Sequence, residues 1–351
     1  MLKRIITIGF TVWVYSLSLN AAIDINDNLT FSSFGSTSIA QATSKSPLFI
    51  NREITDEVCF DCDTTLGLQL DYTLTDEINA SMQIVKRPQD EWSKPELEWL
   101  YLSYNTDTIE AKIGRLRLPL FLTSEYYYVS QAYVWARPPQ EVYGSILGIT
   151  SFDGLSIAWD YYVSDEVLLT VSPYYGGYKK IDVKMGNTDL EFIVNRIIGI
   201  SLDITGFNYR VHSNVMQSNY DQELTVDRVM SSNLKNQEML IYSLGAEYFY
   251  NEFQYMIEAQ ASDMQKSWYA SLAYTFQLFT PYIIYSESYD WKENYSITSG
   301  LRYDVTSKVS INTEWQIMKL KDDTDNNTGQ FTQNFGEDES TLVTLMINFI
   351  F

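Results

Sequence analysis

Residues 153–175 read DGLSIAWDYYVSDEVLLTVSPYY. Leu155, Ile157, Trp159, Tyr161 and Val163 alternate there with Gly154, Ser156, Ala158 and Asp160. Successive side chains of a strand point to opposite faces, so this spacing makes one face oily and the other small or polar. Ser164-Asp165-Glu166 is a tiny link, and a second strand-like run follows at 167–175. Each run is about ten residues, the length a tilted strand needs to cross the hydrocarbon core of a bilayer.

The same alternation recurs along the chain. Leu66, Leu68, Leu70, Tyr72 and Leu74 share one face, as do Phe207, Tyr209, Val211 and Val215, and Phe253, Tyr255 and Ile257. About sixteen strands are expected, near 29–40, 65–74, 78–86, 97–104, 109–116, 153–163, 167–175, 191–204, 207–215, 239–250, 253–261, 267–278, 281–287, 295–305, 308–319 and 341–351. The links between them are sorted. After even-numbered strands they are tiny, such as Thr75-Asp76-Glu77, Thr205-Gly206 and Thr306-Ser307. After odd-numbered strands most are long: 41–64, 87–96, 117–152, 176–190, 216–238 and 320–340. Short turns at one end and long loops at the other are the pattern of a transmembrane β-barrel. A soluble sandwich has no reason to sort its links this way. The expected fold is therefore an all-β, transmembrane antiparallel β-barrel of about 16 strands, forming one domain over 23–351.

The composition agrees. The chain has 27 Tyr, 17 Phe and 8 Trp but only 8 Pro, and aromatic residues favour strands. The start MLKRIITIGFTVWVYSLSLNAA has Lys3 and Arg4, an apolar run and then Ala21 and Ala22. That is the order of a secretory signal peptide, expected over 1–22, and the apolar run is short for a spanning anchor. The formal charge is −21, which repels nucleic acid and excludes it as a partner. The acidic excess falls largely in expected external loops: Glu53, Asp56, Glu57, Asp61 and Asp63, then Asp221, Glu223 and Asp227, then Asp322, Asp323, Asp325, Glu337, Asp338 and Glu339. It therefore does not predict pore selectivity. The polar strand face carries Asp160, Arg210, His212, Glu247, Glu258, Arg302 and Glu314. Burying that many ions dry costs several kcal/mol each when unpaired, so they are expected to line a hydrated lumen. The last run, TLVTLMINFIF, ends on Phe351 and resembles the assembly signal of bacterial outer-membrane proteins.

The longest expected loop, 117–152, contains SEYYYVSQAYVWARPPQEVYG at 124–144. It is long enough to fold back into the lumen. Pro138 and Pro139 fix φ, and packed aromatics supply area with few rotamers, so the stretch suits a rigid constriction. Arg115, Arg117 and Arg137 would attract anions, with Glu125 and Glu141 opposing them across the opening. The alternative is a loop packed on the rim with structural Arg–Glu pairs. The wording GRLRLPLF at 114–121, AYVWARPPQEVYG at 132–144 and FDGLSI at 152–157 resembles the Gram-negative outer-membrane porin superfamily, in the branch that includes phosphate-selective-type porins. The resemblance implies a third loop folded into the lumen, passive diffusion of small hydrophilic solutes, a homotrimer, and contact with outer-membrane lipid and lipopolysaccharide. A plugged barrel serving as a surface receptor or adhesin is the alternative function.

Other constellations carry less. Cys59 and Cys62 in CFDC suit a small disulfide in an oxidising envelope, ahead of free thiols or a metal. His212-Ser213-Asn214 names triad residue types, but adjacent strand residues face opposite ways and His212 is the only histidine. KDDTDNNTG at 321–329 lacks the glycine and glutamate spacing of a calcium loop. No catalytic activity, metal or cofactor is expected.

Overall fold

A computed structural model describes residues 22–88, 94–145, 149–177, 179–185, 188–226, 229–290, 292–321 and 327–351. The expected signal peptide lies outside them, apart from Ala22. Among the described residues eighteen strands are formed. They are β1 (Ala22–Asn26), β2 (Leu29–Ala42), β3 (Thr65–Thr73), β4 (Ile78–Lys86), β5 (Glu96–Asn105), β6 (Ile109–Arg117), β7 (Ser151–Ser164), β8 (Val167–Gly177) and β9 (Lys179–Met185). The second half holds β10 (Thr188–Thr205), β11 (Tyr209–Val226), β12 (Val229–Tyr250), β13 (Phe253–Ser262), β14 (Gln265–Tyr274), β15 (Phe279–Asp290), β16 (Asn294–Thr306), β17 (Val309–Leu320) and β18 (Glu339–Ile350).

These eighteen strands make sixteen positions in a closed wall. β8 and β9 pair one after the other with β10, through Gly176↔Ile197 and then Lys179↔Val194, and so occupy one position. β1 pairs only with the start of β2, where β18 ends. Ser33 and Phe351 exchange two backbone hydrogen bonds of 2.7 Å at that junction. β18 closes the circle on β2, from Leu342↔Ala42 to Ile350↔Phe34. Closure matters because an unpaired backbone group in lipid costs several kcal/mol, and a closed ladder leaves no edge.

The two faces separate as the alternation predicts. Leu68, Leu102, Ile113, Ile157, Ile257, Trp315 and Val343 are exposed on the outside. Ser36, Gln83, Ser243, Gln260, Asn312 and Asn348 are buried on the inside. Near the short turns the outer face carries aromatic pairs, Phe253 with Tyr274 at 4.7 Å and Phe279 with Tyr303 at 4.9 Å, as the interfacial girdle of a membrane barrel does. No helix among the described residues is long and apolar enough to cross a membrane.

Two expected loops are corrected. The spans 176–190 and 216–238 are mostly continued ladder: β10 pairs β11 out to Thr188↔Val226, and β11 pairs β12 out to Val226↔Val229. These hairpins run on beyond the expected strand ends. Leu190 and Phe192 pack there with Ile50, Tyr220 and Leu224, and Asn219 donates to Glu238 at 3.1 Å. A hairpin extending beyond the membrane needs no continuous oily face, so its sequence reads as loop.

Candidate functional site

The segment 118–150, described over 118–145 and 149–150, departs from the wall where β6 ends. Gly114 prepares this departure with φ +135°, and a Cβ on it would sit 2.3 Å from the Leu100 carbonyl oxygen, a conformation and an approach open to glycine alone. Three short turns follow: Ser124–Tyr126, Ser130–Ala132 and a single helical turn, Gln140–Tyr143, entered through Pro139 at φ −55°. That angle is preset for a helix start.

The segment's apolar residues form a core with inward-facing strand residues. Leu118, Leu120, Leu122, Tyr133, Trp135, Val142 and Tyr143 pack with Phe152, Tyr174, Ile197, Met216, Ile241, Met256, Tyr269 and Tyr282. Trp135 is fully buried, edge-on to Tyr269 at 5.5 Å, and its indole N–H donates to Ser271 at 2.9 Å. Gly245 makes room for Leu122, since a Cβ there would lie 2.7 Å from it. Burial stabilises by about 1.5–3 kcal/mol for each large side chain, so this core fixes the segment.

Polar latches add direction. The Leu122 N–H donates to Glu258 at 2.7 Å, and the Ala136 N–H donates to Glu314 at 2.8 Å. Tyr143 and Tyr269 also donate to Glu258, at 2.7 and 3.2 Å, and Tyr282 donates to Glu314 at 2.8 Å. Arg302 reaches the Tyr133 carbonyl at 2.5 Å, Asn312 reaches that of Val134 at 2.6 Å, and Arg210 reaches that of Leu122 at 3.2 Å. His212 lies 3.1 Å from the Pro119 carbonyl and 3.1 Å from Asp203.

Two buried ion clusters complete the frame. Asp63 sits between Arg52 at 2.8 Å and Arg137 at 2.7 Å, and Arg137 lies 3.8 Å from Glu314. Burial pushes the Asp63 carboxyl up, but Arg137 and Arg52 outweigh it and hold it down to about 2. Cys59 and Cys62 form the expected disulfide. Cys62 is buried beside Leu48, Ile54 and Phe331, which sets Asp63 against the segment. In the second cluster Glu98 accepts from Arg87 at 2.6 Å and pairs with Arg117. Tyr128 lies under both guanidiniums, 5.9 Å from Arg87 and 4.7 Å from Arg117.

The expected site residues separate accordingly. Arg137 and Glu141 do not face each other across an opening. Arg137 is held by Asp63, and both Glu141 oxygens are occupied, by Ser286 at 2.8 Å and Asn294 at 2.9 Å. Arg115 forks onto Asp153 at 2.6 and 2.9 Å beside Leu100, Ile113 and Leu155, which belong to the exposed apolar face. Arg117 is tied to Glu98 and to the Ser124 carbonyl. Glu125 alone of the five is exposed, within electrostatic reach of Lys112 and Arg210. The expectation that the polar strand face meets water is also corrected in part. His212, Glu258, Arg302 and Glu314 are buried because they anchor the segment, which satisfies them without water. Asp160, Arg210 and Glu247 remain half-buried; Thr170 donates to Asp160 at 2.6 Å and Gln254 to Glu247 at 2.5 Å.

Asp63, Arg52, Arg87 and Glu98 were not singled out as site residues in the sequence. Asp63, one of the acids of an expected external loop, is a buried ion partner. Its position directly after Cys62 was the one available sign. Asp227, Asp322, Asp323 and Asp325 lie outside the described residues.

Above the segment, at the long-loop end, is a cavity of about 310 Å³. Residues from loop 43–64, the ends of β4 and β6, the segment itself, β9 and the β15–β16 link line it.

No protein-family model matches the chain, and no curated protein is similar to it at a significant level. Among solved structures the chain is similar to Salmonella typhi OmpF in complex with daunomycin, at 12% identity and TM-score 0.63 over 93% of this chain and 100% of that one. It is similar to an anion-selective porin from Comamonas acidovorans at 14% and 0.59, over 92% and 99%. OmpT expressed in the outer membrane of Vibrio cholerae matches at 11% and 0.58, over 93% and 99%. Likeness at such low identity is one of architecture: the chain has the closed, sixteen-position antiparallel barrel of the porin fold.

Proposed function

We propose that the chain is an outer-membrane porin, a passive diffusion channel for small hydrophilic solutes, with the segment 118–150 lying inside the barrel as its constriction. The observation that carries this reading is a closed wall with an apolar exterior, whose inward polar residues hydrogen-bond to that segment along β11–β17. An oily outer face requires lipid around it, and a polar inner face beside it is the arrangement of a water-filled pore. Diffusion down a gradient needs no catalysis, metal or cofactor. A homotrimer fits the fold, since one similar structure is described as a trimer form of Vibrio cholerae OmpT. Lipid and lipopolysaccharide are its surroundings in this reading. The phosphate-selective branch lacks a specific observation in its favour, because the basic residues are mostly paired with carboxylates.

Purified protein added to a planar bilayer should give stepwise conductance in KCl, and absence of steps would sink the proposal. One observation favours a second reading, a plugged barrel acting as receptor or adhesin: Trp135, Glu141 and Val142 of the segment are fully buried. In that case the same bilayer stays silent.

A further inference from the structure

We infer that the outer part of the β9–β12 sheet is a hinged flap that closes against loop 43–64 over the mouth of the barrel. The two partners start from opposite sides of the wall. Six positions, β3 to β8, separate β2 from β10 one way round, and eight, β18 to β11, the other way. Yet Ile50 of the loop packs against Leu190 and Phe192 of β10, as do Tyr220 and Leu224 of β11. Elements rooted so far apart can meet only above the opening. Ile50 and Arg52 also line the cavity there, together with Lys180 and Asp182 of β9.

The loop is the fixed jaw. Leu48, Phe49 and Ile54 are buried, Leu48 and Ile54 exchange backbone hydrogen bonds, and the Phe49 N–H donates to the Gln330 carbonyl at 2.9 Å. Arg52 is held by Asp63 at 2.8 Å, next to the Cys59–Cys62 disulfide. The sheet is the jaw that can bend, because a line of interruptions crosses it. Pairing on β10 passes from β8 to β9 between Ile197 and Val194. The β10–β11 register slips between Val194 and Arg196, and the β11–β12 register slips between Tyr220 and Gln222. Both slips fall beside one cross-strand row, Val194, Tyr220 and Gln237. Asn236 takes up the second in the left-handed region at φ +54°, and its N–H donates to Asp221 at 2.8 Å. A bulge leaves a residue unpaired and bends its strand, so bulges aligned across neighbouring strands form a hinge line. Outside that line both flanks leave the wall: β13 pairs with β12 only from Ile241, and β7 pairs with β8 only to Gly177. A half-buried isoleucine is a small catch for such a flap, of the size that lets two states exchange. The consequence for transport rests on the channel reading; the motion itself does not.

The test uses the full chain folded in detergent, spin-labelled at Asp56→Cys and Met230→Cys, both exposed positions, with the distance read by double electron–electron resonance. Cys59 and Cys62 are joined to each other and take no label. Ile50→Ser should raise the population at longer distance at least threefold, while Ile50→Leu keeps the wild-type distribution, both variants keeping heat-modifiable gel mobility. Amide exchange across 188–226 should stay as slow in Ile50→Ser as in wild type, because the flap bends as a unit. The same distance distribution in wild type and Ile50→Ser overturns the flap. A longer distance accompanied by fast exchange throughout the hairpin means unzipping and overturns the hinge. Planar-bilayer recording separates this inference from the channel reading. A shifted distance without conductance removes the channel and leaves the flap, and conductance with an unshifted distance removes the flap and leaves the channel.

Discussion

The long-loop half and the short-turn half of the barrel interior start from the same alternating strand pattern and end differently. In the long-loop half the inward polar residues Glu258, Glu314 and Asn312 are buried and hydrogen-bond to the backbone of Leu122, Ala136 and Val134. In the short-turn half Asp71, Glu110, Asp160 and Glu247 remain half-buried, with Lys112 and Arg210 among them. That half is richer in carboxylates, whereas cations lining the cavity above the segment are paired with acids such as Asp63, Glu98 and Glu191. An inward polar residue therefore has no fixed role. What covers it decides whether it grips a loop or lines the path.

The comparison breaks most readily at Arg137. Arg137→Ala leaves buried Asp63 with Arg52 alone and buried Glu314 without a cation, and removing one partner of a buried ion pair costs about 3–5 kcal/mol. The barrel ladder is untouched by this change, so the loss should appear as release of the segment. Single-channel conductance should rise, and limited proteolysis should cut within 118–150 while heat-modifiable mobility persists.

Next in size is Gly245→Val. It would push Leu122 off the wall, with overpacking costing about 1–3 kcal/mol, and should loosen only the start of the segment, read as protease cleavage near 120–125.

Acid should act through Asp63. Its pKa is lowered in the fold from the ordinary 3.8 to about 2. Its stabilisation is therefore complete above about pH 5 and is lost as pH falls through 4 toward 2, amounting to roughly 2.5 kcal/mol. Segment release measured by proteolysis-coupled mass spectrometry or conductance should grow across that window. Asp63→Asn should already be loosened at neutral pH and should show no further change there.

The smallest effects separate exposed from buried charge. Glu125→Gln should shift the reversal potential in a KCl gradient toward anions, because Glu125 is exposed beside Lys112 and Arg210. Arg115→Ala should leave it unchanged, because Arg115 pairs with Asp153 on the outer face.

The fold was largely legible in the sequence because its two signals are local. Leu155 to Val163 alternate within one strand, and links such as Ser164-Asp165-Glu166 are short wherever two neighbouring strands turn. The continuation of β10, β11 and β12 beyond the expected strand ends was not legible, since polar pairs such as Asn219–Glu238 and Asn233–Glu223 hold it and its small apolar cluster draws on Ile50 from a distant loop. The site was legible as a segment but not as a set of roles. Trp135 and Pro138-Pro139 marked a rigid element. The partners of Arg137 come from residue 63 and residue 314, and no spacing in one chain discloses contacts between positions so far apart. The expected opposition of Arg137 and Glu141 failed for that reason: each was already claimed by a wall residue.

The most direct test of the central claim is single-channel conductance of the wild type beside a variant in which residues 124–143 are replaced by a short glycine-serine linker. The account predicts stepwise conductance for the wild type and distinctly larger steps for the variant. Equal steps for both proteins would contradict placement of the segment in the conducting path, and no steps from either would contradict the channel itself.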